Sequence, residues 1–484
     1  MFATAGNLTY PLGESVSDAT KSRAVVLGGS IAGLFAARVL ADAYDEVQIV
    51  DRDRLLDAEE ARRSCPQGKH INGLLARGQL VMEEFYPGVT QEIFADGVPT
   101  GDLCGNVRWY FNGVRIEQEV AGLTCVAASR PMLEKHIRRR TAALPNVVFV
   151  EEHDILGLAT TPDRGTVVGA RVLAHGHENE HTIEADLVVD ATGRGSRTPV
   201  WLQELGYGTV EEESKKVGLG YVTQHYKLKV NPYGPDLSIN PVANAKLPRG
   251  AIFTKTDGGR VELTAYGILG DHPPTDQQGF YDFVKTLAAP EIWETLQHAE
   301  PLDEPVAFRF PTTLRRRYEK LTRFPNGLVV VGDAVTCFNP VYAQGMTVAA
   351  LSALTMRGHL HTGAAPQPLL YFEDLAKNVV APAWEMTNIM DLSFPGVEGK
   401  RTLQVKAAQK FLRLVQIAAT RDKKVAAAYM RTAGLIDRPE SLQKPAFMAR
   451  VLWNALRGPA PSPTPPPLVP IRPVETWSAQ KTAA

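Results

Sequence analysis

The 484-residue chain predicts an α/β fold: a parallel-sheet domain in separated pieces, a β-rich insert between them, and a helical region after them. Three observations carry this reading. Short apolar strands at 24–27, 184–191 and 328–331 each run straight into a glycine-bearing turn. Between the second and third turns, residues 206–308 read as strands and short loops with no such turn. From 366 to 457 the pattern is mostly helical.

Residues 1–22 are polar and irregular and read as a loose arm. Residues 24–27 then form an uncharged strand, followed at once by Gly28, Gly29, Ser30, Ala32 and Gly33. Ile31, Leu34, Phe35 and Val39 recur at one-turn spacing, so a helix opens at this turn. A second strand at 47–50 ends on Asp51-Arg52. Strand, glycine turn, helix, strand and acid are the dinucleotide fingerprint in its structural context. Gly28 permits the sharp turn, and Gly33 lets the helix approach the sheet. The helix N-terminus offers N–H groups and partial positive charge to a pyrophosphate. Asp51 suits ribose hydroxyls. Ser30 stands where the middle glycine is usual, and it is small enough to admit a phosphate.

Residues 62–79 open with Arg, Gln, Lys and His around a Pro and a Gly. Gln67 and His70 are placed to touch a ligand of the neighbouring domain, or serve as a solvated connector. Ile71, Leu74, Leu75, Leu80 and Val81 then predict a helix. Residues 107–111 and 114–116 flank Asn112-Gly113, a hairpin signal. Ser129-Arg130-Pro131 before Leu133, His136 and Ile137 reads as a capped helix with Pro in its first turn. Arg130 there can reach a phosphate or form a surface ion pair. A strand at 146–150 precedes a β-meander within 151–185, turned at 162–165.

The second turn carries Asp190, Gly193, Arg194, Gly195, Ser196 and Arg197, a basic glycine-rich set suited to a phosphate-bearing ligand. In the insert, residues 217–229 and 251–269 are β-rich, the latter folding back at 257–259. The third turn has Gly332 and Asp333 at the end of its strand. Pro340, Gly345 and Met346 then precede a helix near Thr347. Residues 400–420 read as a packing helix through Leu403, Val405, Phe411, Leu412 and Val415. Past Gly458 the proline-rich composition predicts an extended, disordered tail. The expected division is therefore 1–22, 23–205, 206–308, 309–365, 366–457 and 458–484. The second and fourth segments form one discontinuous domain.

Composition bears on several classes. The net charge of −1 gives no bulk electrostatic case for nucleic acid or an anionic membrane. No apolar run approaches the roughly 20 residues of a membrane-spanning helix. The first residues lack a signal-peptide pattern, so the cytoplasm is the expected location. Cys65, Cys104, Cys125 and Cys337 form no C-x-x-C pair and no zinc spacing with histidines. Free thiols and no metal site are expected. If all three turns serve one ligand, it is long. FAD fits, with Asp333 near the ribityl chain and the helix after Gly345 near the flavin ring, whereas NAD needs the first turn alone.

GGSIAG at 28–33, Asp51-Arg52, PQGKH at 66–70, Arg130, DATGRGSR at 190–197 and GDAVTCFNPVYAQGM at 332–346 carry a resemblance. The chain resembles the FAD-dependent monooxygenases of the aromatic-hydroxylase (group A) type. It is most similar to their bacterial natural-product branch, polyether-epoxidase-like and squalene-epoxidase-like. The resemblance implies a glutathione-reductase-like FAD-binding Rossmann domain with an inserted β-sheet substrate domain and a C-terminal helical region. It implies that Gly28, Gly29, Ser30, Ala32 and Gly33 meet the pyrophosphate, and Asp51 with Arg52 the adenosine ribose. Arg130 and His70 would lie along the cofactor. Asp190, Gly193 and Arg194 would serve both FAD and a reduced nicotinamide. Gly332 and Asp333 would hold the ribityl chain or pyrophosphate, and Pro340, Gly345 and Met346 would approach the isoalloxazine. Three departures stand out: Ala191-Thr192 inside the middle motif, Ala343 in place of a glycine, and Thr347 in place of an asparagine.

The implied chemistry is oxygen transfer from a C4a-hydroperoxyflavin to an apolar natural-product intermediate. Alkene epoxidation needs no protein base, while phenol hydroxylation favours a His or Tyr beside the substrate. Tyr221, His225 and Tyr266 lie on expected strands of the insert, and nothing in the sequence selects one. The expected partners are an apolar small molecule and O₂. Electrons would come from NAD(P)H or from a separate flavin reductase. Two other readings are a flavin-dependent reductase or cyclase on a polyprenyl-like substrate, and a non-enzymatic prenyl-carrier protein. The three nucleotide turns argue against the last.

Overall fold

The strand Arg23–Leu27 sits at the centre of a five-stranded sheet. Its neighbours are Leu187–Asp190 and Glu46–Val50, with Leu328–Val330 and Val147–Val150 at the edges. Every pairing in this sheet is parallel. Such strands are covered on both faces, which explains why AVVL and LVVD carry no polar residue until the last position. The helices Ile31–Leu40 and Gly345–Leu360 pack against it and bury Leu34, Phe35, Ala350 and Ala353. The sheet thus draws on segments far apart in the chain, as the three turns require.

The computed structural model describes residues 22–360 and 366–471. The expected arm, apart from Ser22, and the last part of the proline-rich tail lie outside these. The meander forms an antiparallel sheet of His153–Thr160, Val167–Ala174 and His181–Glu184. The largest sheet is mixed and built around Glu212–Leu228, which pairs with Val306–Arg316 and Val261–Gly267. Arg249–Lys255 and Ser238–Pro241 extend it. The hairpin Val107–Phe111 and Val114–Arg115 joins this sheet, in parallel with Ser238–Pro241. Asn112 and Gly113 both have positive φ, as a tight two-residue turn demands.

Two expectations are corrected. Residues 71–75 precede their helix, which spans Ala76–Phe85; PQGK forms a short 3₁₀ turn. Thr347 does not begin the late helix, which starts at Gly345. The C-terminal region folds into helices, among them Ala381–Asp391, Leu403–Ala419, Lys423–Ala433 and Pro445–Leu456. Beyond them Val469–Pro470 pairs antiparallel with Val230–Asn231. The four cysteines are free.

Candidate active site

Strand register brings the three turns together. Leu27 pairs with Asp190, and Asp190 with Val330, so three strands end in one row. A Cβ added to Gly28 would lie 2.8 Å from the Ala191 carbonyl oxygen. One added to Gly332 would lie 2.8 Å from the Ala32 methyl. The turns therefore form one continuous edge at the carboxyl ends of the strands, where open α/β sheets bind ligands.

At the first turn Gly28 has φ of 100°, a conformation other residues adopt only under strain. A Cβ on Gly33 would sit 1.8 Å from the Gly28 carbonyl oxygen, so helix and strand touch here. Ser30 precedes the helix without capping it. Its hydroxyl donates to Glu134 at 2.7 Å and accepts from Arg130 at 2.9 Å. The first N–H groups of the helix thus remain available to an anion. Asp51 is buried and accepts the Gly29 N–H at 2.7 Å and the Asp53 N–H at 2.8 Å. Burial pushes its carboxyl up from the usual range, and Arg62 at 3.7 Å opposes this. Arg52 stands apart, exposed and paired with Asp154 at 3.1 Å.

Arg130 opens the helix Arg130–Ala142, which Ser129 caps through the Met132 N–H. Its guanidinium donates to Glu134, one turn on, at 2.7 Å. Arg62 reaches the other Glu134 oxygen at 3.2 Å. Burial works against the charge on Glu134, but the two guanidiniums prevail and hold its carboxyl below the ordinary range. Asp333 lies within the field of the same Arg130; burial raises its carboxyl and Arg130 opposes the rise.

At the second turn Asp190 is fully buried. One oxygen accepts from the Thr192 N–H and hydroxyl, the other from the Ser196 and Thr198 hydroxyls. Its carboxylate therefore shapes the turn. Gly193 faces open space. Arg194 donates to the Thr312 carbonyl and hydroxyl at 2.8 and 2.7 Å and lies over the Phe310 ring. Arg316 of the large sheet joins the second and third turns. It donates to the Arg194 and Ala334 carbonyls at 2.9 and 3.0 Å, and to Glu212 at 3.0 Å.

After the third turn, Pro340–Tyr342 form a short 3₁₀ turn and Ala343 takes a left-handed φ of 54°. A glycine would adopt this without strain. Asp391 of the helix Ala381–Asp391 fixes the loop, accepting from the Asn339 amide and the Tyr342 hydroxyl, both at 2.9 Å. Thr347 accepts the Leu75 N–H at 3.0 Å and so ties the late helix to the 71–75 segment. Met346 is buried, while Pro340 is exposed.

This loop forms one wall of a cavity of about 1200 Å³. Asn72 and Leu74 lie beside it, Trp109, Ile252 and Tyr266 come from the large sheet, and Met386, Phe411 and Met448 from the C-terminal helices. The lining is largely apolar, and no histidine is part of it among the described residues. Of the three residues the sequence left open, only Tyr266 faces this space; its hydroxyl accepts the Ala243 N–H at 3.2 Å. Tyr221 stacks on Phe308. His225 pairs with Asp303 at 2.6 Å.

His70 is buried against the sheet, edge-on to Tyr221 and Phe308. Its Nδ1 meets the Thr223 hydroxyl at 2.8 Å. Thr223 in turn meets Thr264 at 2.6 Å, and Thr264 donates to Glu262 at 3.2 Å. Burial, aided by His225 and Lys69, lowers the His70 pKa to about 4. Burial raises that of Glu262 to about 8. Both ends of this buried row are therefore neutral near pH 7.

Sequence reasoning missed Arg62, Glu134, Arg316 and Asp391. Glu134 had a signal, its four-residue spacing from Arg130 on a helix. The other three had none, because their partners come from distant segments.

A profile of the FAD binding domain matches residues 21–361. Protein Rv3254 of Mycobacterium tuberculosis is 34% identical over 398 residues, covering 77% of this chain and 81% of that protein. Among solved structures, the flavin-dependent brominase Bmp2 superposes with a TM-score of 0.62 at 14% identity, over 90% of this chain and 100% of its own. The p-nitrophenol 4-monooxygenase PnpA of Pseudomonas putida DLL-E4 gives 0.58 at 14% identity, over 86% and 99%. At such identities the structures speak for the fold, while the profile speaks for the family. The chain belongs to the FAD binding domain family, a flavoprotein with the fold of the FAD-dependent monooxygenases.

Proposed function

We propose that this protein is an FAD-dependent monooxygenase that inserts one oxygen atom from O₂ into a large apolar natural-product intermediate. The observation that carries the reading is the apolar cavity against the Pro340–Gln344 loop, which continues the third nucleotide turn. The residues present fit the cofactor. The uncapped helix after Ser30, with Gly28, Gly29, Ala32 and Gly33, leaves room and N–H donors for the pyrophosphate. Arg130 and Arg62 supply positive charge there, and Asp51 the ribose acceptor. Gly193, Gly332 and Asp333 continue the cradle toward the flavin, and Pro340, Gly345 and Met346 border its ring. Asp190 and Arg194 act by shaping the middle turn, and Arg52 and His70 by supporting the elements around it.

Bound flavin, once reduced, supplies the activation of O₂. The chain's own part is to exclude water, seat the substrate and hold the flavin loop still. Epoxidation of an alkene is favoured over hydroxylation of a phenol, because no histidine among the described residues lines the cavity and its three tyrosines have protein partners: Tyr266 accepts the Ala243 N–H, Tyr342 donates to Asp391 and Tyr429 accepts the Gln416 amide. Electrons come from NAD(P)H or a separate flavin reductase, and the site is cytoplasmic. A reductase or cyclase would use the same cavity without transferring oxygen. The test is turnover of a candidate alkene under ¹⁸O₂ with FAD and a reductant. The reading requires substrate-dependent O₂ consumption and label in the product; product formed without label overturns it.

A further inference from the structure

The overall charge of −1 hides a strong segregation. Residues 400–457 hold thirteen Lys and Arg against three Asp and Glu, a net of +10, leaving −11 for the rest of the chain. Lys406, Lys410, Arg413, Lys444 and Arg457 are exposed there. These helices also wall the cavity: Phe411 and Leu412 line it from the helix Leu403–Ala419.

The terminal helix Pro445–Leu456 has a second unusual property. Its inner face packs through Val451 and Asn454. Its outer face carries Met448, Leu452, Trp453 and Leu456, a stripe at helical spacing that is also apolar. Trp453 is 69% exposed and Leu456 85%. A helix apolar on both sides is normally covered on both. Lys444 and Arg457 bracket this stripe, placed to reach headgroups while the stripe contacts acyl chains. Met448 belongs to the stripe and to the cavity wall, and the exposed Glu440 and Gln443 border the same cavity. The apolar face and the opening of the cavity therefore adjoin.

We infer that residues 400–457 dock on an anionic lipid surface, with the terminal helix at the interface and Trp453 and Leu456 in the acyl region. Three features select this occupant. The charge complements an anionic headgroup layer, the apolar stripe suits its boundary, and the adjoining cavity accepts ligands that partition into a bilayer. The attachment is peripheral, since no helix among the described residues is long and apolar enough to cross a membrane. The inference stands on the surface and does not depend on which reaction the flavin performs.

The test is co-sedimentation of the full-length, FAD-loaded protein with vesicles. Phosphatidylglycerol–phosphatidylcholine vesicles are expected to retain the protein about tenfold or more better than pure phosphatidylcholine. Near 1 M salt, where screening reaches about 3 Å, this preference should fall away. The double variant Trp453→Ser, Leu456→Ser should lose binding about tenfold while staying yellow, because both side chains face outward. A second variant, Lys444→Gln with Arg457→Gln, should weaken binding to anionic vesicles only. Equal, weak sedimentation with both vesicle types overturns the inference. So does a wild-type dimer that the double serine variant converts to monomer, since a second copy would then cover the face.

Discussion

Gly33 marks the tightest contact at the nucleotide edge. With only 1.8 Å between an added Cβ and the Gly28 carbonyl oxygen, any side chain forces helix and strand apart. Gly33→Val should purify without flavin, read from the ratio of visible to ultraviolet absorbance; a fully yellow variant would refute the placement. Ser30 gains a meaning its sequence position did not offer. Its hydroxyl joins Arg130 to Glu134, so a third side chain organises the positive charge that a glycine would leave unattached. Glu262 gives a residue-scale prediction in pH. Burial, with Asp257 and Asp303 nearby and Arg260 and Thr264 opposing, raises its pKa from 4.5 to about 8. The folded state then holds a proton that the unfolded state releases, so stability falls as pH rises across that window and levels above it. Glu262→Gln keeps a neutral partner for Thr264 and should flatten this part of the stability–pH curve in urea titrations. An unchanged slope would show that Glu262 is ionised in the fold.

At the scale of elements, the Pro340–Gln344 loop depends on a helix from another region. Asp391 accepts both the Asn339 amide and the Tyr342 hydroxyl, and Ala343 holds a left-handed conformation between fixed ends. Asp391→Ala leaves buried donors unpaired, at about 1–3 kcal/mol for each group. Lower stability and reduced turnover are expected together, while Asp391→Asn, still able to accept both bonds, should restore most of each. Thermal melting and steady-state rates check this; equal damage by Ala and Asn would assign the effect to charge. The helix Arg130–Ala142 is more local. Its Ser129 cap, its Pro and the Arg130–Glu134 spacing are all consecutive, and each was readable or recoverable from the sequence.

At the scale of the molecule, Arg316 connects three bodies of structure: the large sheet, the second turn and the third turn. Arg316→Leu strips two carbonyl oxygens of their donor, which should cost about 2 kcal/mol or more. Its effect on FAD affinity, measured by titration of apoprotein, should exceed that of Arg52→Leu, whose pair is exposed. Added FAD at a hundredfold excess over Kd should stabilise the chain by about 2.7 kcal/mol, and equally for probes in either sheet. A large-sheet transition indifferent to FAD would uncouple the two. Strand, turn and helix signals in the three glycine motifs sufficed for the parallel sheet, because they depend on backbone conformation and local burial. So did the long ligand, because three phosphate-competent turns in one chain need a common partner. The cavity was not legible, since its walls come from many distant segments whose apolar residues read as ordinary core. Nor was the pairing of Arg62, Arg316 and Asp391, because a buried polar contact depends on which segments meet and not on spacing. The sequence by itself determined a flavin-type nucleotide fold. Tertiary packing alone decided which side chains surround the substrate space and which apolar face remains in solvent, because both depend on how distant elements dock.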